Sequence, residues 1–250
     1  MTYCVGLRLE NGLVFMSDTL TNAGVDNINR NKKMYSWSIK NYRSIILLTS
    51  GNLATSQAAV NIINEKISEN DLEHDNILKA PSMFKVARII GRILREVTSE
   101  FAADGQNADN QYSSTFILGG QIKGDDHKLF LIYPEGNFIE SSEDQPFFQI
   151  GETKYGKPIL DRTIEQDTPL GDTARAALLS LDSTMRSDLT VGPPIDFVVF
   201  KKDQINLDFQ DRLKLDSPFF QQFSNIWHDQ LLKAINHLPR FNWEDAESLE

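Results

Sequence analysis

Residues 1–18 read MTYCVGLRLENGLVFMSD. Tyr3, Val5, Leu7 and Leu9 alternate with Cys4, Gly6 and Arg8, which is the two-residue period of a β-strand. Asn11-Gly12 is the dipeptide most favoured in a two-residue hairpin turn, so Leu13–Met16 reads as the returning strand. The chain therefore begins as an antiparallel hairpin, and its open end carries a hydroxyl residue, Thr2, and a carboxylate, Asp18.

Beyond the hairpin, Thr19–Asn31 is rich in Asn, Gly, Asp and Thr and reads as a loop, followed by the strand candidate KKMYSWSI from Lys32. Ser44–Thr49 (SIILLT), ended by Ser50-Gly51, has the continuous apolar character of a buried strand. The period then changes to helical over Leu53–Ile67 and Ser82–Phe101, the second carrying Phe84, Val86, Ala87, Ile89, Ile90, Ile93, Leu94 and Val97. After the polar DGQNADNQ segment, strands are predicted at Ser113–Leu118, Lys128–Tyr133, Phe138–Ile139 and Phe147–Ile150. Helices are predicted at Gly156–Ile164 and Leu170–Met185, then strands at Ile195–Phe200 and Ile205–Asp208 around a KKDQ turn. Strands alternating with helix pairs predict an α+β fold, a layered sandwich of two face-to-face sheets with helices outside. One domain is expected over 1–250, with the aromatic, amphipathic 214–250 as a C-terminal helical extension.

A formal net charge of −10, from 35 acidic and 25 basic residues, argues against nucleic acid or an anionic membrane as partner, because both carry the same sign. The single Cys4 cannot form an internal disulfide, and His74, His127, His228 and His237 have no metal-ligand spacing. No stretch has the length of a bilayer span, and no basic segment leads an uninterrupted apolar one at the N-terminus. A cytoplasmic protein without metal or organic cofactor is expected.

The familiar hydrolase and nucleotide-binding motifs (GxSxG, the papain-like cysteine signature, the P-loop) are missing from the sequence. Thr2 stands out by position. Once Met1 is removed, a residue-one threonine carries nucleophile and base on neighbouring carbons, because its α-amine has an ordinary pKa of about 8. Such a nucleophile needs a cation that favours the neutral amine, a carboxylate to hold that cation, and N–H donors for an oxyanion. Asp18, Lys32-Lys33 and Ser50-Gly51 supply those types in successive elements. Taken singly, each has an ordinary reading as a turn residue, a solvated strand start and a helix-entry turn.

Together, T-x-x-x-G at 2–6, S-D at 17–18, K-M at 33–34 and LLTSGNLA at 47–54 resemble the proteasome β-subunit and HslV group of N-terminal-nucleophile hydrolases. MTYCVGL at the start, TNAGVDNI at 21–28 and STMRSDLTVGPPID at 183–196 resemble more closely the Anbu family of bacterial proteasome-related peptidases. The resemblance implies a four-layer αββα sandwich and a threonine peptidase acting on peptides or unfolded proteins. It also implies self-assembly into a homo-oligomer, as a ring or an open helix. By position, Thr2 is the implied nucleophile, Asp18 and Lys33 the charge pair, Gly51 the oxyanion donor and Asp188 a supporting aspartate. Lys33 is preferred to Lys32 because it precedes the apolar residue of the family pattern. Where many β-subunits carry a glycine-serine-glycine turn, this chain reads IGETKYG from Ile150, placing Glu152 or Thr153 there; Ser187 and Thr190 both remain open for the supporting hydroxyl. The alternatives in function are a non-peptidolytic ring or peptide-binding scaffold, and hydrolysis of a non-protein amide.

Overall fold

The computed structural model describes residues 1–22, 28–69, 75–102, 111–207 and 209–247. It divides into two compact units, Met1–Leu213 and Lys214–Glu250. The first is built on two five-stranded antiparallel sheets. In one, β1 (Tyr3–Leu9) and β2 (Gly12–Asp18) lie between β10 (Phe147–Gly151) and the pair β11 (Ile195–Lys201) and β12 (Phe209–Leu213), in the order β10-β1-β2-β11-β12. The other runs β5-β6-β7-β8-β9, from Met34–Ile39, Arg43–Gly51, Ser114–Ile122, Lys128–Ile132 and Phe138–Glu140. A short ribbon of β3 (Leu20–Asn22) and β4 (Ile28–Arg30) follows β2.

Alternation assigns the two faces of each sheet. Cys4, Leu13, Phe15, Ile46, Leu48, Ile117, Leu129, Phe148, Val198 and Phe200 meet between the sheets. On β6 and β7 the intervening Ile45, Leu47, Phe116 and Leu118 face outward and bury α1 (Leu53–Ser68) and α2 (Met83–Ala102), through Val60, Ile63, Ile90, Ile93 and Val97. The first sheet is covered by α4 (Leu170–Ser187), which packs on β1, β2 and β11 and also against α3 (Lys157–Thr163). The result is four layers in the order helix, sheet, sheet, helix. In the second unit, α5 (Pro218–Asn236) is capped by Ser217, whose Oγ accepts from Phe220 N at 3.3 Å, and α6 (Asn242–Glu247) follows. Along α5 Phe219, Ile226, Leu232 and Ile235 are exposed.

Three sequence expectations need correction. The hairpin turn is Glu10-Asn11, one residue earlier than predicted, because Gly12 pairs with both Leu9 and Lys201 and is drawn into the ladder of a central strand. The last strand is Phe209–Leu213 rather than Ile205–Asp208: Ile205 is a buried loop residue, whereas the true strand is a polar, exposed edge whose pattern carries no apolar signal. The segment read as a loop at 19–31 contains the β3–β4 ribbon at its two ends. Most of DGQNADNQ, Asp208 and the middle of TNAGVDNI lie outside the described residues.

Candidate active site

Moving the turn to Glu10-Asn11 sets the hairpin register, with Cys4 opposite Ser17. Asp18 consequently arrives beside the backbone of Tyr3, and Tyr3 N donates to Asp18 Oδ1 at 3.0 Å. One residue upstream, Thr2 is half-buried and its carbonyl accepts from Glu152 N at 2.7 Å. Gly151 is pressed against that same carbonyl: its φ is +86°, and a Cβ there would overlap the Thr2 oxygen. Met1 is 58% exposed.

Lys33 enters from the other sheet. It lies just before β5, where its carbonyl accepts from Thr49 N at 2.9 Å, so it stands opposite Thr49, two residues before Gly51 on β6. Its ammonium is 2.7 Å from Asp18 Oδ1 and donates to the Leu20 carbonyl at 2.6 Å. Lys32, by contrast, is exposed and lies over the Tyr35 ring. Gly51 ends β6 opposite Ser114, at the entrance to α1, whose N-cap Asn52 accepts from Thr55 N at 3.1 Å.

Asp18 is fully buried and Lys33 is 4% exposed. Burial pushes the Asp18 carboxyl up, against the pull of the Lys33 ammonium and the Tyr3 and Gly192 N–H groups. Three donors on one carboxylate supply what a buried charge requires. Cys4 is buried in the inter-sheet core with Sγ 3.7 Å from the Thr49 carbonyl, and burial pushes its thiol well above the ordinary range. It remains a neutral thiol, a packing group and not a nucleophile.

Asp188 closes α4, and its Oδ1 accepts from Thr190 N at 2.8 Å and Thr190 Oγ1 at 2.6 Å. Its carboxylate is thus taken up by Thr190, and the turn it shapes ends at Gly192, whose N–H reaches Asp18 Oδ2 at 3.3 Å. Ser187 is exposed. Glu152 contributes its backbone to Thr2, while its Oε1 accepts from Lys154 N at 2.9 Å. Sequence reasoning missed Gly151, Gly192 and the Leu20 carbonyl. All three act through backbone, and only the glycines in IGETKYG and VGPP hinted at close approach. Among the described residues no group of three or more His, Cys, Asp or Glu could hold a metal ion, and no helix is long and apolar enough to cross a membrane.

The proteasome subunit family model matches residues 2–200. Among solved structures, an Anbu (Gly-1) mutant from Hyphomicrobium sp. strain MC1 is 46% identical with a TM-score of 0.89, covering 97% of this chain and 100% of that one. Anbu (ancestral beta-subunit) from Yersinia bercovieri is 40% identical with a TM-score of 0.89, covering 96% and 98%. Anbu from Pseudomonas aeruginosa, solved as a helical assembly, gives 40% identity and a TM-score of 0.89 over 96% and 98%. Comparison with curated proteins finds no match. With its αββα layers and near-complete overlap with these structures, the chain belongs to the proteasome subunit family, in its Anbu branch, and has the N-terminal-nucleophile hydrolase fold.

Proposed function

We propose that this protein is a threonine peptidase whose nucleophile is Thr2 after loss of Met1. The observation that carries the reading is the buried Asp18–Lys33 pair, 2.7 Å apart, with Asp18 bonded to the amide that follows Thr2. A buried ion pair is weak evidence for stability alone, so its place beside a chain terminus points to a task.

In the proposed reaction the neutral α-amine of Thr2 takes the proton from its own Oγ, which attacks the substrate carbonyl carbon. Lys33, as a neighbouring cation, favours the neutral amine and the developing alkoxide. Negative charge passes to the carbonyl oxygen, stabilised by the Gly51 N–H. Collapse breaks the C–N bond, and the leaving amine departs with the proton held on the α-amine. Water then gives up a proton to the same amine and attacks the ester carbonyl; the C–Oγ bond breaks, the amine returns that proton to Oγ, and the acid is released. Asp18 holds Lys33 in place, and Asp188 shapes the turn that brings Gly192 to Asp18. The substrates are peptides or unfolded proteins, and the assembly is a homo-oligomer. The helical assembly of the Pseudomonas aeruginosa relative supports self-association, as does the exposed apolar face of α5. The location we assign is the cytoplasm, in keeping with a lone, buried, unpaired thiol.

The test combines intact mass with a peptide epoxyketone, whose ring adduct needs a hydroxyl and a free amine on adjacent carbons. Wild type lacking Met1 is expected to gain one adduct and Thr2→Ala none. Adducts on both, or complete retention of Met1 in cells, would overturn the mechanism and leave a non-peptidolytic assembly as the better reading.

A further inference from the structure

Thr2 functions in the proposed reading only with its amine free, and the structure bears on when Met1 can leave. Met1 projects into solvent, but the chain is held immediately behind it. Thr2 is half-buried with its carbonyl bonded to Glu152 N at 2.7 Å, and the Gly151 backbone is packed against that carbonyl. Tyr3 is fully buried, with its N–H on Asp18 at 3.0 Å. Its hydroxyl is bonded to Ser180 Oγ of α4 and accepts from Gln149 Nε2 of β10 at 3.0 Å. Three elements other than its own thus fix the third residue.

An enzyme that cleaves the Met1–Thr2 bond must grip chain on both sides of it. An extended chain advances about 3.3 Å per residue, so drawing three residues into a cleft takes roughly 10 Å of free chain. The folded protein offers one residue. Releasing more means pulling Tyr3 from the core and breaking the contacts to Asp18, Glu152, Gln149 and Ser180 at once, which makes the competent state a rare local opening.

We propose that Met1 is removable only before β1 joins its sheet, by an aminopeptidase that hydrolyses the Met1–Thr2 bond with water while the chain end is still unfolded. A molecule that folds with Met1 in place is then sealed in a form without the free amine. The inference rests on the threonine reading for its importance, but the accessibility on which it turns is independent of any activity.

The experiment is to produce the full chain in cells whose methionine aminopeptidase is inhibited, purify the folded protein with Met1 retained, and add purified methionine aminopeptidase. Intact mass follows Met1. The comparators are a synthetic peptide of residues 1–12 and a full-length variant with Gly-Ser-Gly-Ser inserted between Thr2 and Tyr3, checked for a cooperative melt. Met1 should leave the peptide and the inserted variant, while the folded wild type reacts at least ~100-fold more slowly, as access through a rare opening requires. Removal from folded wild type at the peptide's rate overturns the inference. So does spontaneous loss of Met1 without added enzyme, which would mean the folded protein processes itself. Either result leaves the role of Thr2 standing, whereas an absent epoxyketone adduct on the Met1-free protein would sink that role and leave the accessibility result untouched.

Discussion

Each end of the β1–β2 hairpin has a buried polar side chain against it, Asp18 at the open end and His127 at the turn end, and the two are differently satisfied. At the open end Asp18 is paired with the Lys33 ammonium at 2.7 Å and accepts from the Tyr3 and Gly192 N–H groups. At the turn end the buried polar group is neutral: His127, 5% exposed, has Nε2 2.7 Å from the Leu9 carbonyl, an acceptor that assigns the proton to Nε2. Close by, Asn11 O accepts from Lys202 N at 2.9 Å, tying the turn to the end of β11. A fold that needs only to close a hairpin can do so with backbone and one neutral ring. Buried opposite charges stand at the other end, where in the proposed mechanism a nucleophile must be tuned, and they carry a desolvation cost the turn end avoids.

The largest expected effect comes from breaking the charged end. Lys33→Ala strands the Asp18 carboxylate and is expected to destabilise the protein by about 3–5 kcal/mol and to abolish epoxyketone labelling. The matched change at the turn end, His127→Leu, removes the ring's bond to the Leu9 carbonyl, for about 0.5–1.5 kcal/mol, and should leave labelling unchanged. The double variant Asp18→Asn/Lys33→Met separates the two roles: it removes both charges and keeps an acceptor for the Tyr3 N–H, so most of the stability should return in denaturant unfolding, and labelling should not. Recovery of labelling in that variant would show that the pair is structural only.

A second contrast uses the glycine at each end. Gly151 and Gly12 both have positive φ, +86° and +145°, and at each a Cβ would overlap a carbonyl oxygen, that of Thr2 or of Phe200. Alanine at either position is expected to cost about 1–3 kcal/mol by strain. Only Gly151→Ala displaces Thr2, so it alone should slow labelling, by about a hundredfold for an ångström-scale shift. Equal labelling by the two variants would mean that the Thr2 carbonyl has slack the structure does not suggest.

The strands of the hairpin, the first helix pair and the core alternation were legible because each buries one face against a large neighbour, and burial writes period into sequence. The edge strand Phe209–Leu213 was not: exposed on nearly every residue, it has no face to protect. At the candidate site, Asp18 and Lys33 could be picked out because charged side chains carry chemical identity. The preference for Lys33 over Lys32 came from family pattern, and the geometry that sets it apart is a single offset at the start of β5. Gly192, Gly151 and the Leu20 carbonyl contribute only backbone, which any sequence possesses. The turn position was misread because Asn11-Gly12 has the right local chemistry, yet pairing of Gly12 with Lys201 overrode it.

The smallest effect is a difference in acid response between the two ends. Burial holds the His127 ring below its ordinary value of 6.5, with Arg8 and Lys202 pushing the same way against the Leu9 hydrogen bond and Asp126. Its contribution to stability is therefore complete above pH 6.5, and is lost as pH falls toward the lower folded value, because the unfolded chain takes up the proton first. Asp18 has the opposite sign. Its carboxyl is raised above 3.8, so the folded state takes up a proton first on acidification, and this group's contribution is lost as pH rises through the folded value. His127→Gln should flatten the fall in unfolding free energy below pH 6.5 by no more than ~1.4 kcal/mol per pH unit, the ceiling for one proton. Labelling, in contrast, should decline on acidification with an inflection above 3.8 in wild type and His127→Gln alike, since it follows Asp18 and the Thr2 amine and not the ring at the far end of the hairpin. A labelling profile that moved with His127 would show that the two ends are coupled through β1 and β2.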